Sequence, residues 1–247
     1  MLKQVFSGIK AYAGAFELIS KLKLWRYFVI PIAISIVTAI AIGISAYGLS
    51  GNIGGYISNI WVWEWGKETF ATISEIFGGL LVIVIGLVLY KHIIMALSAP
   101  FMSPVSEKIE LHLLGKTHQH RNTSFQQQLW RGIRINVRNL FMELWITSLL
   151  LIFSFIPIIG WITSLLLFAV QAYYAGFGNM DYTLERHFKY KDSLNFVRKH
   201  RGIAIGNGIV FMLFLLIPII GIILVLPLSV TAASIKTVEL LGAKKNK

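Results

Sequence analysis

Long stretches with almost no charge alternate along this chain with short, strongly basic ones. Phe28 to Ser50 is 23 residues without a charged side chain. At 1.5 Å per residue it reaches about 34 Å, enough to cross a hydrocarbon core of about 30 Å. Pro31 falls in its first turn, where a missing N–H costs little. Thr69 to Tyr90 is the second spanning run. Lys91 and His92 mark its far end, although the apolar pattern continues to Ala99. Two long transmembrane helices are therefore expected, over 28–50 and 69–99. Gly51 to Ser74 reads as a polar interruption, and its Trp61, Trp63 and Trp65 suit a membrane interface, where an apolar ring meets water.

Ahead of the first span, Val5, Phe6, Ile9, Ala13, Phe16 and Ile19 recur at helical spacing, with Lys3, Lys10 and Glu17 between them. Residues 1–27 are thus read as an amphipathic interfacial helix on the membrane surface, and not as a secretory signal. Residues 100–139 read as amphipathic cytoplasmic helices. Pro100 and Pro104 are expected to break the chain, and Ser103 or Ser106 to cap a helix running to about Leu114. Gly115 to Thr123 reads as a polar loop. A second helix starts at Ser124, with Leu129, Ile133, Val137 and Leu140 on one face and Arg131, Arg134 and Arg138 on the other.

The pentapeptide IPIIG then occurs twice, at Ile156–Gly160 and Ile217–Gly221. Each copy is flanked by apolar arms, Leu140–Ile156 and Trp161–Ala175 in the first, Ile203–Ile217 and Ile222–Ala233 in the second. Both ends of each run are basic. Two helical hairpins follow, over 140–175 and 202–236, with proline ending the first arm and glycine permitting the turn. Arms of 15 to 17 residues reach only about 23 to 26 Å, so the hairpins are expected to be partially inserted.

Composition supports the same picture. The chain is 56% hydrophobic and 14% charged, too little charge to cover a water-facing surface. The fold class is all-α integral membrane protein, one domain over 1–247. With no cysteine, disulfides, thiolate metal sites and cysteine nucleophiles are excluded. The net charge of +12 would suggest nucleic acid in a soluble protein. Here, of the 23 Lys and Arg residues, Lys67 alone lies between the first two spans, beside Glu64, Glu68 and Glu75. The positive-inside bias therefore places both termini in the cytoplasm, and no nucleic-acid partner is expected.

No phosphate-binding loop, dinucleotide fingerprint, nucleophile elbow or zinc-protease motif is present, and no enzymatic activity is expected. His112, His118 and His120 fall short of a convergent zinc site, so no metal or other cofactor is expected. Lys21, Lys23 and Arg26 stand just before the first span. They read either as topology signals or as an oxyanion site at a helix N-terminus. Asp181, Glu185, Arg186 and His187 follow the first hairpin. They read as caps or salt bridges, or as a proton or charge relay. The spanning runs are read as lacking a lone charge that would extend such a relay.

Three places together resemble the EI24 domain superfamily and, within it, the bacterial sulfate permease family CysZ. The first runs from Phe6 and Gly8 through Leu24-Trp25-Arg26-Tyr27-Phe28-Val29-Ile30-Pro31. The second is Ser98-Ala99-Pro100-Phe101 leading to Ser106-Glu107-Lys108-Ile109-Glu110. The third is Met180-Asp181-Tyr182 with Arg186-His187, then Arg198 to Arg201. The resemblance implies a bacterial inner-membrane sulfate pathway feeding cysteine synthesis, with two long helices and partially inserted hairpins. It also implies oxyanion binding at a Gly-Leu-Arg-Arg stretch before the first long helix. Aligned on Pro31, that stretch falls on Lys23, Leu24, Trp25 and Arg26, keeping the leucine and the second arginine. The function expected is a permease or channel for a small oxyanion, sulfate first, working as a homo-oligomer in the lipid bilayer. The alternative is a non-transporting membrane scaffold or a lipid- or partner-binding protein of the same superfamily.

Overall fold

Helix ends in this chain are set by local chemistry, and helix faces by what surrounds them. The computed structural model describes residues 1–115, 123–154, 156, 159–217 and 219–245, which are helical apart from short turns. Helices α1 (Leu2–Lys10) and α2 (Ala15–Lys21) flank a 3-10 turn at Ala11–Gly14. Ala11, Ala15 and Ile19 are buried while Leu2, Phe6 and Phe16 are exposed, so the N-terminal segment is amphipathic as the pattern required. α2 ends in a Schellman turn. The Leu24 amide donates to the Ile19 carbonyl (2.9 Å) and the Lys23 amide to Ser20 (3.1 Å), with Lys23 at φ 52°.

α3 (Trp25–Ser58) and α4 (Lys67–Leu114) form a long antiparallel pair. The expected polar interruption shrinks to residues 59–66, because α3 continues through Asn52, Gly54 and Gly55. Glycine is tolerated in this helix interior because the partner backbone occupies the space of its side chain. A Cβ on Gly78 would stand 2.9 Å from both the Gly54 amide and the Ser50 carbonyl. At the tip, the Trp61 ring stacks on Phe70 (centroids 4.9 Å apart) and meets the edge of Trp63 at 5.2 Å. Trp63 and Trp65 are exposed.

The break expected at Pro100 does not occur. α4 is helical through both Pro100 and Pro104, and Ser103 and Ser106 lie inside it rather than at a cap. Proline removes a hydrogen bond from the carbonyl four residues back, so a neighbour must be able to approach there. The Ala96 carbonyl freed by Pro100 is met by α5 at Gly132, where a Cβ would stand 2.9 Å from it.

α5 (Phe125–Ser154) opens with a capping box. The Gln127 amide donates to Ser124 Oγ (3.3 Å), and the Ser124 amide to Gln127 Oε1 (3.2 Å). It is one helix across the expected boundary at residue 140, so the amphipathic segment and the first hairpin arm are continuous. Its buried face is neither of the two expected ones, since Leu129, Ile133 and Leu140 are half-buried and Arg134 is exposed. Gly132, Ile135, Asn136, Asn139 and Glu143 are buried, whereas Val137, Phe141, Leu144 and Trp145 are exposed. With hydrocarbon as the solvent, the apolar stripe faces outward and the polar stripe finds partners inside.

α6 (Ile159–His187), α7 (Tyr190–Lys199), α8 (Arg201–Leu215) and α9 (Ile220–Lys245) complete the chain. Two hairpins exist, α5–α6 and α8–α9. Pro157 and Pro218 lie outside the described residues. Gly160 and Gly221 are not the turning residues: each sits in the first turn of the following helix, and neither has a positive φ. They are needed for close approach. A Cβ at Gly160 would stand 2.6 Å from the Ser154 carbonyl, and one at Gly221 would overlap the Phe214 carbonyl. In the second hairpin the left-handed position is Ile219, at φ 65°.

Five helices among the described residues are long and apolar enough to cross a membrane: α3, α4, α5, α6 and the Ile223–Gly242 part of α9. α8 is shorter, its 15 residues reaching about 23 Å. The core lies where α6, α8 and α9 meet α1 and the second half of α4. A polar thread runs through it. Asn179 Nδ2 donates to Asn207 Oδ1 (2.9 Å), Asn207 Nδ2 to the Ser229 carbonyl (2.9 Å), and Tyr12 OH to the Asn207 carbonyl (2.8 Å). α6 and α8 touch through glycine. A Cβ at Gly208 would overlap the Ala172 carbonyl, and one at Gly176 the Ala204 carbonyl.

Gly208→Ala is therefore expected to lower stability by about 1–3 kcal/mol in detergent-unfolding titrations, as overpacking does. Gly43→Ala, where nothing lies within 4 Å, should stay within about 0.5 kcal/mol of the parent.

Candidate functional site

The turn from α2 into α3 places the four residues of the expected oxyanion site, and it divides them. Leu24 is fully buried, and Trp25 packs edge-on against Phe16 (5.8 Å) and Phe28 (6.5 Å), so these two side chains serve the core. Lys23 and Arg26 are exposed. The Arg26 guanidinium lies 4.9 Å over the Tyr27 ring, with Nη2 3.1 Å from the Tyr27 hydroxyl. The ammonium of Lys108, from α4, lies 5.7 Å from the same ring. Sequence reading missed Lys108, which only helix packing brings here. α3 starts at Leu24 without a side-chain cap. Its first turn thus offers backbone N–H groups and the positive end of the helix dipole beside Arg26. The left-handed backbone that a glycine would adopt freely is present at Lys23 itself. The turn geometry survives the side-chain change.

The second cluster, at the end of α6, is more deeply built. Arg131 of α5 grips Asp181 with both arms, Nε to Oδ2 at 3.0 Å and Nη2 to Oδ1 at 2.8 Å. The same guanidinium donates to the Phe188 carbonyl (2.8 Å) and Ser193 Oγ (2.7 Å), which ties the start of α7 to α5. Arg186 reaches the proline-containing part of α4. It donates to the Ser103 carbonyl (2.7 Å), to Ser106 Oγ (2.5 Å) and to Glu110 Oε2 (2.8 Å). His187 Nε2 is 3.1 Å from the same Glu110 oxygen. Glu185 is 2% exposed and its Oε1 has no hydrogen-bond partner. Asp181 and Arg186 are thus in ion pairs, His187 lies within hydrogen-bond distance of Glu110, and Glu185 lies between them in sequence. The partners Arg131 and Glu110 were not singled out from the sequence.

A third ionic group was not anticipated. Lys91 of α4, fully buried, lies 2.6 Å from Glu143 Oε1 of α5, and His92 Nε2 is 3.2 Å from Glu143 Oε2. The spanning runs therefore do carry charge, as a buried pair rather than a lone charge. The signal was present, since Glu143 interrupts an apolar arm and a charge inside such an arm demands a counter-charge. No group of His, Asp and Glu able to hold a metal occurs among the described residues. His118 and His120 lie outside them, and His112 is exposed at the end of α4.

Uncapped cationic helix start, buried ion pairs and outward apolar faces together define a multi-pass α-helical membrane protein. The chain belongs to the EI24 family: the family model described as sulfate transporter CysZ/etoposide-induced protein 2.4 matches residues 11–226. A search of curated proteins found no match.

Removing one partner of a buried ion pair leaves the other uncompensated. Asp181→Ala should therefore cost about 3–5 kcal/mol of stability in detergent unfolding. Lys23→Gly should instead stabilise by about 1 kcal/mol in the same assay, because it relieves a left-handed lysine.

Proposed function

We propose that this protein is a permease or channel of the bacterial inner membrane for a small oxyanion, sulfate first, taken up for cysteine synthesis. The observation that carries this reading is the Arg26 guanidinium, exposed beside the uncapped start of α3 with Lys108 close by. Those groups match a tetrahedral oxyanion: a planar fork of donors, a second cation and free backbone amides. The family match supports the substrate class. Lys23 and Arg26 supply charge and Trp25 a backbone amide; the Leu24 amide is committed to the Ile19 carbonyl, and the Leu24 and Trp25 side chains hold the turn.

The basic residues outside the α3–α4 tip put both termini and the anion site on the cytoplasmic side. The two hairpins enter from that side. The second turns within the bilayer, since α8 at about 23 Å falls short of a core of about 30 Å. The pathway runs between hairpins or between subunits of a homo-oligomer, because one chain of this shape encloses little pore. Asp181, Glu185, Arg186 and His187 provide a charge relay along it. Neither catalysis nor nucleic-acid binding is part of this reading.

Sulfate uptake into proteoliposomes and calorimetric sulfate binding are the tests. Arg26→Ala should reduce both at least tenfold, the scale of one charge-assisted hydrogen bond. Lys23→Gly should weaken both less than Arg26→Ala does, because it removes one cation and none of the guanidinium donors. Unchanged binding in Arg26→Ala would remove the proposed site. Absence of uptake under every imposed gradient would favour the membrane scaffold or lipid-binding alternative.

A further inference from the structure

A cavity of about 260 Å³ lies where the first turns of α5, the end of α6 and the start of α7 converge. It is separate in chain position from the Arg26 turn, and of its lining the oxyanion reading uses Glu185 alone, in the charge relay. Gln127, Arg131, Arg134, Glu185, Lys189 and Tyr190 line it. Two opposite demands meet there. Glu185 is 2% exposed, and its Oε1 accepts no hydrogen bond. A buried acceptor left unpaired is costly and calls for a donor. Arg131 is not that donor, because its guanidinium is committed to Asp181, Phe188 and Ser193.

At the rim the demand is reversed. Arg134 and Lys189 are exposed, and neither has a carboxylate partner among the described residues. The Arg134 guanidinium is held 4.2 Å over the Tyr190 ring, which orients it and leaves its N–H edges open. Lys189 begins α7 and provides no side-chain cap, so the positive end of that helix adds to the same field. A bare oxyanion would use the rim alone and leave the Glu185 Oε1 without a donor. A bare cation would meet the converse. A molecule bearing both charges a few atoms apart satisfies both. Trp130, 68% exposed, also lines the cavity. Exposed aromatics of this kind mark headgroup depth in a bilayer.

We propose that this cavity binds a primary ammonium joined to a phosphate, the chemistry of ethanolamine phosphate, with the ammonium on Glu185 and the phosphate between Lys189 and Arg134. The group is available as the headgroup of an aminophospholipid or as a soluble phosphomonoester. The inference stands independently of the anion site at Arg26.

The test is calorimetry on the full chain in detergent with O-phosphoethanolamine, phosphocholine and inorganic phosphate. Phosphoethanolamine should bind at least tenfold more tightly than phosphocholine, whose methyl groups remove the N–H donors. Glu185→Gln should weaken phosphoethanolamine at least tenfold and leave phosphate no weaker. Lys189→Gln, at an exposed position, should weaken both ligands. If Glu185→Gln does not fold, the comparison of the two ligands on the parent protein and the Lys189→Gln result decide the matter. Native mass spectrometry from nanodiscs of phosphatidylethanolamine or phosphatidylcholine separates the two sources. Selective retention of the ethanolamine lipid, lost in Glu185→Gln, identifies the headgroup, and soluble binding without retention identifies the free compound. Equal affinity for phosphoethanolamine and phosphocholine, or an unchanged affinity in both variants, would overturn the proposal.

Discussion

A guanidinium packed among helices needs oxygen partners, and both terminal nitrogens of Arg186 have them. It takes a backbone carbonyl, a hydroxyl and a carboxylate from one stretch of α4, Ser103 to Glu110. That stretch can serve because Ser103, Ser106 and Glu110, spaced three and four residues apart, lie on one face of the helix. The end of α6 is thereby locked to α4, and Arg131 locks it to α5 and to α7 through Asp181, Phe188 and Ser193. Once α6 is held at that end, its Gly176 face meets α8, and α8 meets α1. The helix packing of the second half of the chain is ordered around this one buried cation.

Lipid as solvent explains the rest of the arrangement. In water, α5 would bury Leu129, Ile133, Val137 and Leu140. Here it buries Asn136, Asn139 and Glu143, and Glu143 meets Lys91 and His92. Without a hydrophobic force between helices, contact depends on close backbone approach and polar pairing. Gly132, Gly176, Gly206 and Gly208 supply the first, and the Asn179–Asn207–Ser229 thread supplies the second. The same logic revises the repeated pentapeptide. Its glycines admit a carbonyl from the preceding arm, and the one described left-handed residue beside them is Ile219.

Both sites show why side-chain roles are harder to read than helix positions. Arg26 and Lys23 remain at the surface as expected, but Leu24 and Trp25 turn inward to seal the joint with α2. Lys108, from a segment 82 residues further along, stands over the same tyrosine as Arg26. Asp181 and Arg186 were legible as charged residues after an apolar run. That each would be matched by a residue on a different helix, Arg131 and Glu110, has no local signature.

Charge scarcity, apolar run lengths and the distribution of lysine and arginine determined by themselves that this is an all-helical membrane protein. Those properties report the cost of exposing polar groups to hydrocarbon, which is paid residue by residue and needs no knowledge of neighbours. Helix continuity through Pro100 and Pro104, the inward turn of the polar face of α5 and the pairing of each buried charge were decided by tertiary structure. Each depends on a partner distant in sequence: Gly132 against a freed carbonyl, Arg186 across Ser103, Glu143 opposite Lys91. A proline or a charge in an apolar run states a need, and only packing shows which residue meets it.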